Sequence, residues 1–141
     1  MNIKEIQQTI VDEFAMFDDW MDRYSFLIEM GKECPIIDDR YRNDEHLING
    51  CQSRVWLNAE LIDGKVFYSA DSDAVITKGI IYLLIRVFSG QKPSDIISAD
   101  LSFLDDIGLK EHLSPTRSNG LLSMIKQMLL YAQTFKLQNE I

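Results

Sequence analysis

The chain has 141 residues, a length that predicts a single domain over residues 1–141 with room for a buried core. Fourteen basic against twenty-two acidic residues leave a net charge of −8, which argues against nucleic acid as a partner. Two cysteines are too few for a disulfide framework, and no secretory pattern or apolar run of ~20 residues is visible, so we expect a cytoplasmic protein with free thiols and no membrane contact.

The amino-terminal part of the chain predicts two amphipathic helices. Apolar residues recur at helical spacing from Ile3 to Phe17, and a second stripe runs from Trp20 to Ile28. Gly31 is the predicted end of the second helix, and the short link predicts an antiparallel helical hairpin. The acidic residues on the outer side are interpreted as a solvated face, or alternatively as a contact for a basic partner: Asp12, Glu13, Asp18, Asp19 and Asp22.

The middle of the chain predicts an irregular connection followed by a β-hairpin. Helical and strand periodicity are both lost over residues 32–49, where charged residues accumulate. Residues 55–61 and 66–70 then read as strands on either side of Asp63-Gly64, a pair typical of a two-residue type I′ turn. A third strand would have to come from the connection, and residues 47–48 are the candidate.

The second half of the chain predicts mainly helices. Asp71, Ser72 and Asp73 offer capping oxygens for a third helix that Gly90 should end. Its core-facing residues are predicted to be Ile76, Ile80, Leu83, Val87 and Phe88. Further helix starts are predicted at Pro93, Asp100 and Ser114-Pro115. Together these elements predict an α+β fold, in which a small antiparallel sheet of about three strands packs with an N-terminal helical hairpin and C-terminal helices.

The segment with the most chemical signal is the junction between the connection and the first strand, which reads NGCQSRVW over residues 49–56. Gly50 permits a positive φ and leaves room for the backbone of a second protein. Cys51 follows directly, at a strand end where a loop can present a nucleophile. The alternative is a small buried thiol, the common fate of a free cysteine. The residues alone leave both interpretations open.

Several short blocks of sequence carry a family resemblance. They are Gly50-Cys51-Gln52-Ser53, Val55-Trp56, Asp71-Ser72-Asp73, Lys78-Gly79, Leu113-Ser114-Pro115 with Arg117, and Gly120-Leu121. In this order and approximate spacing, they make the chain resemble the SufE family of sulfur acceptor proteins over essentially its whole length. The related IscU-type scaffolds share a similar fold.

The resemblance implies a role in sulfur transfer for iron–sulfur cluster assembly. A cysteine desulfurase of the SufS or CsdA type, which uses pyridoxal phosphate, would form a persulfide, and Cys51 would accept its outer sulfur and so stimulate that enzyme. The sulfur would then pass to a scaffold complex of the SufBCD type. Gly50, Gln52, Ser53 and Arg117 are the implied supporting residues. The resemblance implies no cofactor or metal on this chain, which would not be a stand-alone enzyme.

A carrier cysteine needs both activation and shelter. Only the thiolate attacks sulfur, and the nearest cation along the chain is Arg54. Loop amides, the helix start at Ser114-Pro115, Arg117 and the desulfurase itself are alternative sources of activation. Because a persulfide is easily oxidised, we expect Cys51 to lie against apolar residues, with Trp56 and aromatics of the second helix as walls, and to swing out on docking.

Two features of the later helices call for an explanation. Arg117 lies in the first turn of the last helix, where a cation is mildly unfavourable for the helix dipole. It is interpreted as functional, with a surface arginine or a pair with Asp71 or Asp73 as the alternative. Gly79 and Gly120 lie within predicted helices, where glycine is costly, and so predict close packing against the sheet or the cysteine loop.

Two other classes of function stay open. A metal-binding or cluster scaffold of IscU-like fold would need about three ligands, whereas Cys34, His46 and Cys51 have irregular separations. A thiol redox enzyme would use Cys34 as the resolving partner of Cys51. Cys34 itself is interpreted as a substitute for a core hydrophobe, with a second reactive thiol as the alternative.

Overall fold

The structure is a computed structural model that describes residues 1–140, apart from the side chain of Glu140. It confirms the α+β class, with helices packed around a two-stranded antiparallel sheet. In chain order the elements are α1 (Ile3–Ala15), α2 (Trp20–Gly31), β1 (Val55–Ile62), β2 (Lys65–Ser72), α3 (Val75–Phe88), α4 (Pro93–Ile97), α5 (Phe103–Asp106), α6 (Leu109–His112) and α7 (Pro115–Glu140).

Helices α1 and α2 form where the apolar spacing predicts them. They meet near their junction, with the Phe26 centroid 5.2 Å from that of Phe14 and 5.0 Å from that of Phe17. Along their lengths α2 packs on α3, and α1 packs on α3 and α5, so the expected antiparallel pairing of the two helices is not formed. Two residues of the expected solvated acidic face have structural roles. Glu13 forms a salt bridge with Arg86 of α3, and for this residue the prediction was wrong, because local periodicity does not reveal a cation from a distant helix. Asp19 is exposed as predicted and also caps α2.

Helix α2 packs on α3 at a contact between two glycines. An ideal Cβ on Gly79 would lie 2.3 Å from the carbonyl oxygen of Leu27, and one on Gly31 would lie 2.8 Å from the Gly79 Cα. Both positions therefore need glycine so that the two helix backbones can approach. The prediction that Gly79 packs against the sheet or the cysteine loop was wrong, because its neighbour is α2.

The predicted hairpin is present, and its turn has the expected geometry. Asp63 and Gly64 have φ values of 52° and 79°, as a type I′ turn requires. Within residues 1–140 the sheet has two strands rather than about three. The third strand expected at residues 47–48 is reduced to a single antiparallel bridge between Leu47 and Trp56. The charged segment before it curls into short 3₁₀ turns and so cannot extend the sheet.

An ion-pair network fastens this connection to the sheet. The guanidinium of Arg42 donates to Asp71 and lies 5.5 Å from the centre of the Trp56 ring, while the Lys78 ammonium lies 3.4 Å from Asp71. Burial acts to raise the pKa of Asp71, but the hydrogen bonds from Arg42 and from the Ser72 N–H, with the charge of Lys78, hold it below its usual value. Asp71 therefore holds the segment that leads to the cysteine loop.

The capping prediction for α3 was wrong. The N-cap is Ala74, and no side chain caps the helix end. The three polar residues before it have other partners. Asp71 forms the ion pairs just described, the Ser72 hydroxyl donates to the Arg54 carbonyl over 2.8 Å, and Asp73 accepts the Arg54 N–H over 3.0 Å. These bonds tie the end of β2 to the start of β1.

Helix α3 is the centre of the core, with ten of its fourteen residues buried. It contacts α1, α2, β2 and α7. The last helix begins at Pro115 as predicted, and buries Leu121, Met128 and Ala132 toward the core. Of the helices in residues 1–140, none has the length and apolar character that crossing a bilayer demands.

Candidate functional site

Cys51 lies in a short loop that is closed at its base by a hydrogen bond. The Ile48 N–H donates to the Val55 carbonyl over 2.8 Å. Gly50 has a φ of +94°, as its place in the loop predicted, and an ideal Cβ there would lie 2.4 Å from the Ser123 Oγ of α7. The space that we expected for a partner's backbone is thus filled by this chain. Glycine is needed at position 50 for both reasons.

The loop closes over a cavity of about 60 Å³ against α3 and α7. The cavity brings together five residues that the sequence singled out: Cys51, Gln52, Ser53, Arg117 and Gly120. Four lining residues were not predicted: Thr77, Ile80, Thr116 and Met124. The signal that could have revealed Thr77 is a hydroxyl residue within the most apolar helix of the chain, where a polar group needs a reason to be buried.

The thiol of Cys51 faces the second turn of α7. Its Sγ is half-buried and lies 3.7 Å from the Gly120 carbonyl oxygen, to which the S–H donates. An ideal Cβ on Gly120 would lie 3.4 Å from Sγ, so this glycine packs against the cysteine loop as predicted. Burial raises the pKa of Cys51 above that of an ordinary thiol. The closed structure therefore favours the neutral thiol over the nucleophilic thiolate.

The walls of the cavity differ from the predicted ones. Trp56 does not line it, and its ring lies against the guanidinium of Arg42 in the connection instead. Trp20 of α2 packs on His112, with ring centroids 4.8 Å apart. The prediction of aromatic walls was wrong; the apolar walls are aliphatic and come from α3 and α7.

Arg117 stands at the cavity mouth, on the exposed side. Its N–H donates to the Ser114 Oγ over 3.3 Å, which confirms the predicted cap of α7. Its guanidinium lies 5.7 Å from the centre of the Tyr24 ring. The alternative pairing with Asp71 or Asp73 was wrong, because the salt bridges among residues 1–140 give Asp71 to Arg42 and Lys78 and none to Arg117. Arg117 is thus a cation without a carboxylate partner in the described chain.

The cavity combines apolar contact with hydrogen-bonding groups. Ile80 and Met124 supply the apolar surface, and Ser53, Thr77 and Thr116 carry hydroxyls. Its volume exceeds the ~10–15 Å³ that admits a water molecule. The site can therefore take a sulfur atom added to Cys51, and hydroxyls are donors of the kind that an anionic sulfur needs.

The second cysteine lies in a different environment. Cys34 is 4% exposed, and its S–H points toward the carbonyl oxygens of Pro35 and Ala70, 3.7 and 3.8 Å away. Burial raises the pKa of Cys34 to about 12, although the charge of Lys78 opposes the change. This matches the prediction of a core hydrophobe and is unlike a resolving cysteine. Both thiols are free.

Metal binding finds no support among the described residues. In residues 1–140 no three His, Cys, Asp or Glu side chains come together as a metal site. The two histidines pack against aromatic rings instead, His46 on Tyr41 at 4.9 Å and His112 on Trp20.

The fold and site define a small α+β protein that holds one half-buried thiol over a cavity between two helices. Residues 8–132 match the family described as "SufE: Fe-S metabolism associated domain". The chain therefore belongs to the SufE family, and the family associates it with iron–sulfur metabolism.

Individual relatives agree with this membership. The chain is 40% identical over 124 residues to an uncharacterized SufE-like protein of Rhizobium meliloti, which covers 84% of this chain and 89% of that protein. It is 38% identical to an uncharacterized SufE-like protein of Rhizobium etli, over 84% of each chain. The solution structure of a hypothetical protein from Thermus thermophilus superposes with a TM-score of 0.78 at 19% identity, over 94% of this chain and 96% of that one. That likeness shows a shared fold.

Proposed function

We propose that this protein is a sulfur carrier, which accepts persulfide sulfur from a cysteine desulfurase on Cys51 and delivers it to an iron–sulfur scaffold complex. The observation that supports this function best is the Cys51 thiol itself, half-buried and unpaired at the wall of a cavity that has room for one more sulfur. Membership of a family associated with iron–sulfur metabolism supports iron–sulfur cluster assembly as the destination of that sulfur.

The chemistry is a thiol exchange without net oxidation. The Cys51 thiolate attacks the outer sulfur of the desulfurase persulfide, a new S–S bond forms on Cys51, and the donor cysteine leaves as a thiolate. The desulfurase is thereby ready for another cysteine substrate, which is how the carrier stimulates it. A thiolate of the scaffold complex then attacks the outer sulfur on Cys51 and releases the Cys51 thiolate.

The closed loop suits storage better than attack. Burial raises the pKa of Cys51, and an Sγ turned toward α7 cannot reach a persulfide on another protein. Opening of the Gly50 loop would expose the thiol and lower its pKa toward the ordinary value. Arg117 at the cavity mouth could then support the thiolate, since it has no carboxylate to neutralise it among residues 1–140. We infer that docking of the desulfurase provides this opening.

The direct test is intact-mass analysis after the protein is mixed with a cysteine desulfurase and L-cysteine. We expect a gain of about 32 Da, one sulfur atom, that a reductant such as dithiothreitol removes. Cys51→Ser should abolish the gain, and Cys34→Ser should keep it. The same variants should also differ in desulfurase assays: Cys34→Ser should accelerate sulfide release, and Cys51→Ser should not. An unchanged mass gain in Cys51→Ser would overturn the proposal.

A further inference from the structure

A second concavity lies apart from the cysteine loop, where the end of α1 and the second half of α2 meet α3. We call it the acidic cleft, and it has a volume of about 600 Å³. Its charged groups are Glu13, Glu29, Glu33 and Arg86, and its apolar surface comes from aromatic and methionine side chains. Volumes of this order are typical of binding clefts, whereas the Cys51 cavity is about a tenth as large.

Aromatic rings and flexible methionine side chains form the floor of the acidic cleft. Phe17 and Phe26 stand 5.0 Å apart, Met30 is almost fully buried beside them, and Tyr82 of α3 forms the opposite wall. At the rim, Met16 is 78% exposed. Such a surface binds apolar side chains through burial, and its ring faces attract cations.

The charges of the cleft are unbalanced. Arg86 donates two hydrogen bonds to Glu13, of 2.7 and 2.8 Å, so this pair is neutral as a unit. Glu29 and Glu33 remain, and three carboxylates against one guanidinium give 1 − 3 = −2. Lys32, which does not line the cleft, forms a salt bridge of 2.9 Å with Glu29 and leaves Glu33 as the lining carboxylate without a cation partner among residues 1–140.

The placement of these carboxylates also conflicts with local helix electrostatics. Glu29 lies near the C-terminal end of α2, and Glu33 follows that end directly. Negative charge there is unfavourable to the helix dipole by ~0.3–1 kcal/mol. Lys32 at the C-cap offsets this effect for Glu29. Glu33 has no such cation among residues 1–140, so a bound cation would remove its conflict with the dipole.

We propose that the acidic cleft is a docking site for a basic, apolar segment of a partner protein. Leucine-like side chains of the segment fill the floor, and its Arg or Lys side chains contact Glu29 and Glu33. A second copy of this chain is a poor occupant, because two molecules of net charge −8 repel each other. The segment must therefore come from a protein with a basic surface.

The cleft is separate from the proposed sulfur chemistry. It shares no lining residue with the Cys51 cavity, and on α3 it uses Tyr82 where the cavity uses Ile80. Residues two positions apart on a helix do not share a face. A partner can therefore occupy the cleft while Cys51 is engaged elsewhere, and the docking proposal does not depend on what Cys51 does.

The test uses a synthetic helical peptide of about twelve residues, built from Leu, Arg and Gln with a net charge of about +4. One version replaces its Arg by Gln, and another replaces its Leu by Gln. Binding to the full chain is measured by calorimetry, and the site is located by amide NMR shifts. We expect the parent peptide to bind with shifts at Phe17, Phe26 and Tyr82, and each altered peptide to bind at least about tenfold more weakly.

Matched variants of the protein separate the cleft from general charge attraction. Glu29→Gln/Glu33→Gln should raise the dissociation constant about tenfold, whereas Glu60→Gln/Glu111→Gln, which removes two exposed carboxylates outside the cleft, should change it less than about twofold. Met16→Ser should weaken binding more than Met21→Ser, since both are exposed but only Met16 lines the cleft. All of these side chains are on the surface, so the variants should fold.

Each contrary result has a definite meaning. Equal weakening by both glutamate pairs would overturn the proposal in favour of diffuse attraction. Binding of benzyltrimethylammonium alone as tightly as the peptide would overturn it in favour of a small organic cation. Sedimentation that shows a dimer lost in Glu29→Gln/Glu33→Gln would overturn it in favour of a second copy.

Discussion

The two cysteines of this chain have the same side chain but differ in burial and in pKa. Cys34 is sealed in the core beside β2, and burial raises its pKa to about 12. Cys51 is half-buried in a loop beside a cavity, and its pKa is raised by partial burial alone. The difference teaches that surroundings, rather than residue type, set the access of each thiol to solvent. Under the proposed opening of the cysteine loop Cys51 becomes reactive, whereas Cys34 stays enclosed by the core.

Selective alkylation is the strongest test of that contrast. At pH 8 a thiol with a pKa of about 12 is ionised in only about one molecule in 10⁴. We expect iodoacetamide to modify Cys51. The alkylation rate of Cys34 should be at least about 10³-fold lower than that of a small free thiol. Peptide mass spectrometry measures both rates, and guanidinium should equalise them. Similar native rates at the two sites would remove the basis of the comparison.

The next largest effect concerns the loop glycine. Gly50→Ala forces a positive φ on alanine and places its Cβ 2.4 Å from the Ser123 Oγ, so we expect a loss of stability of about 2–4 kcal/mol. Gly64→Ala is the matched control, since its φ is +79° but nothing lies within 4 Å of the new Cβ, and it should cost about 1 kcal/mol. Urea unfolding midpoints measure both.

A double variant sharpens this result. Gly50→Ala/Ser123→Ala removes the hydroxyl and leaves a nearest contact of 3.4 Å, so it should recover part of the loss. No recovery would show that backbone strain, rather than the contact with α7, accounts for the whole effect.

The pH dependence of Cys51 provides a third test. Because burial raises its pKa, the rate of alkylation should rise with an inflection above that of the same peptide in the unfolded chain. The same shift makes the free energy of unfolding depend on pH, because the thiol ionises at a lower pH in the unfolded chain than in the folded one. The stabilising contribution of Cys51 is therefore complete below its unfolded pKa and is lost as the pH rises through its folded pKa. Cys34→Ser should leave this inflection unchanged. An inflection below the unfolded value would show a site that activates the thiol at rest.

The smallest expected effect is at Gly120. In Gly120→Ala the new methyl group would touch the Cys51 Sγ at 3.4 Å, so sulfur uptake and alkylation should fall about twofold while helix propensity rises. Gly79→Ala is the contrasting control, because its Cβ meets the Leu27 carbonyl oxygen at 2.3 Å and the fold should be destabilised. Thermal unfolding and mass analysis together separate the two. A loss of stability in Gly120→Ala would contradict the open space assigned to the cavity.

Much of the secondary structure of this protein could be predicted from local sequence patterns. The helices, the type I′ hairpin at Asp63-Gly64 and the start of α7 at Pro115 follow from periodicity and from the conformational preferences of single residues, which act over a few positions. The positive φ of Gly50 beside Cys51 was predictable for the same reason.

Only the tertiary structure decided what surrounds these elements. It brings Thr77 of α3 and Met124 of α7 to Cys51, sets Gly79 against α2, and pairs Glu13 with Arg86, all between residues far apart in the chain. The sequence by itself therefore determined which segments form and where the candidate thiol stands. The packing determined how far that thiol is buried, because burial is a sum over distant neighbours that no local pattern encodes.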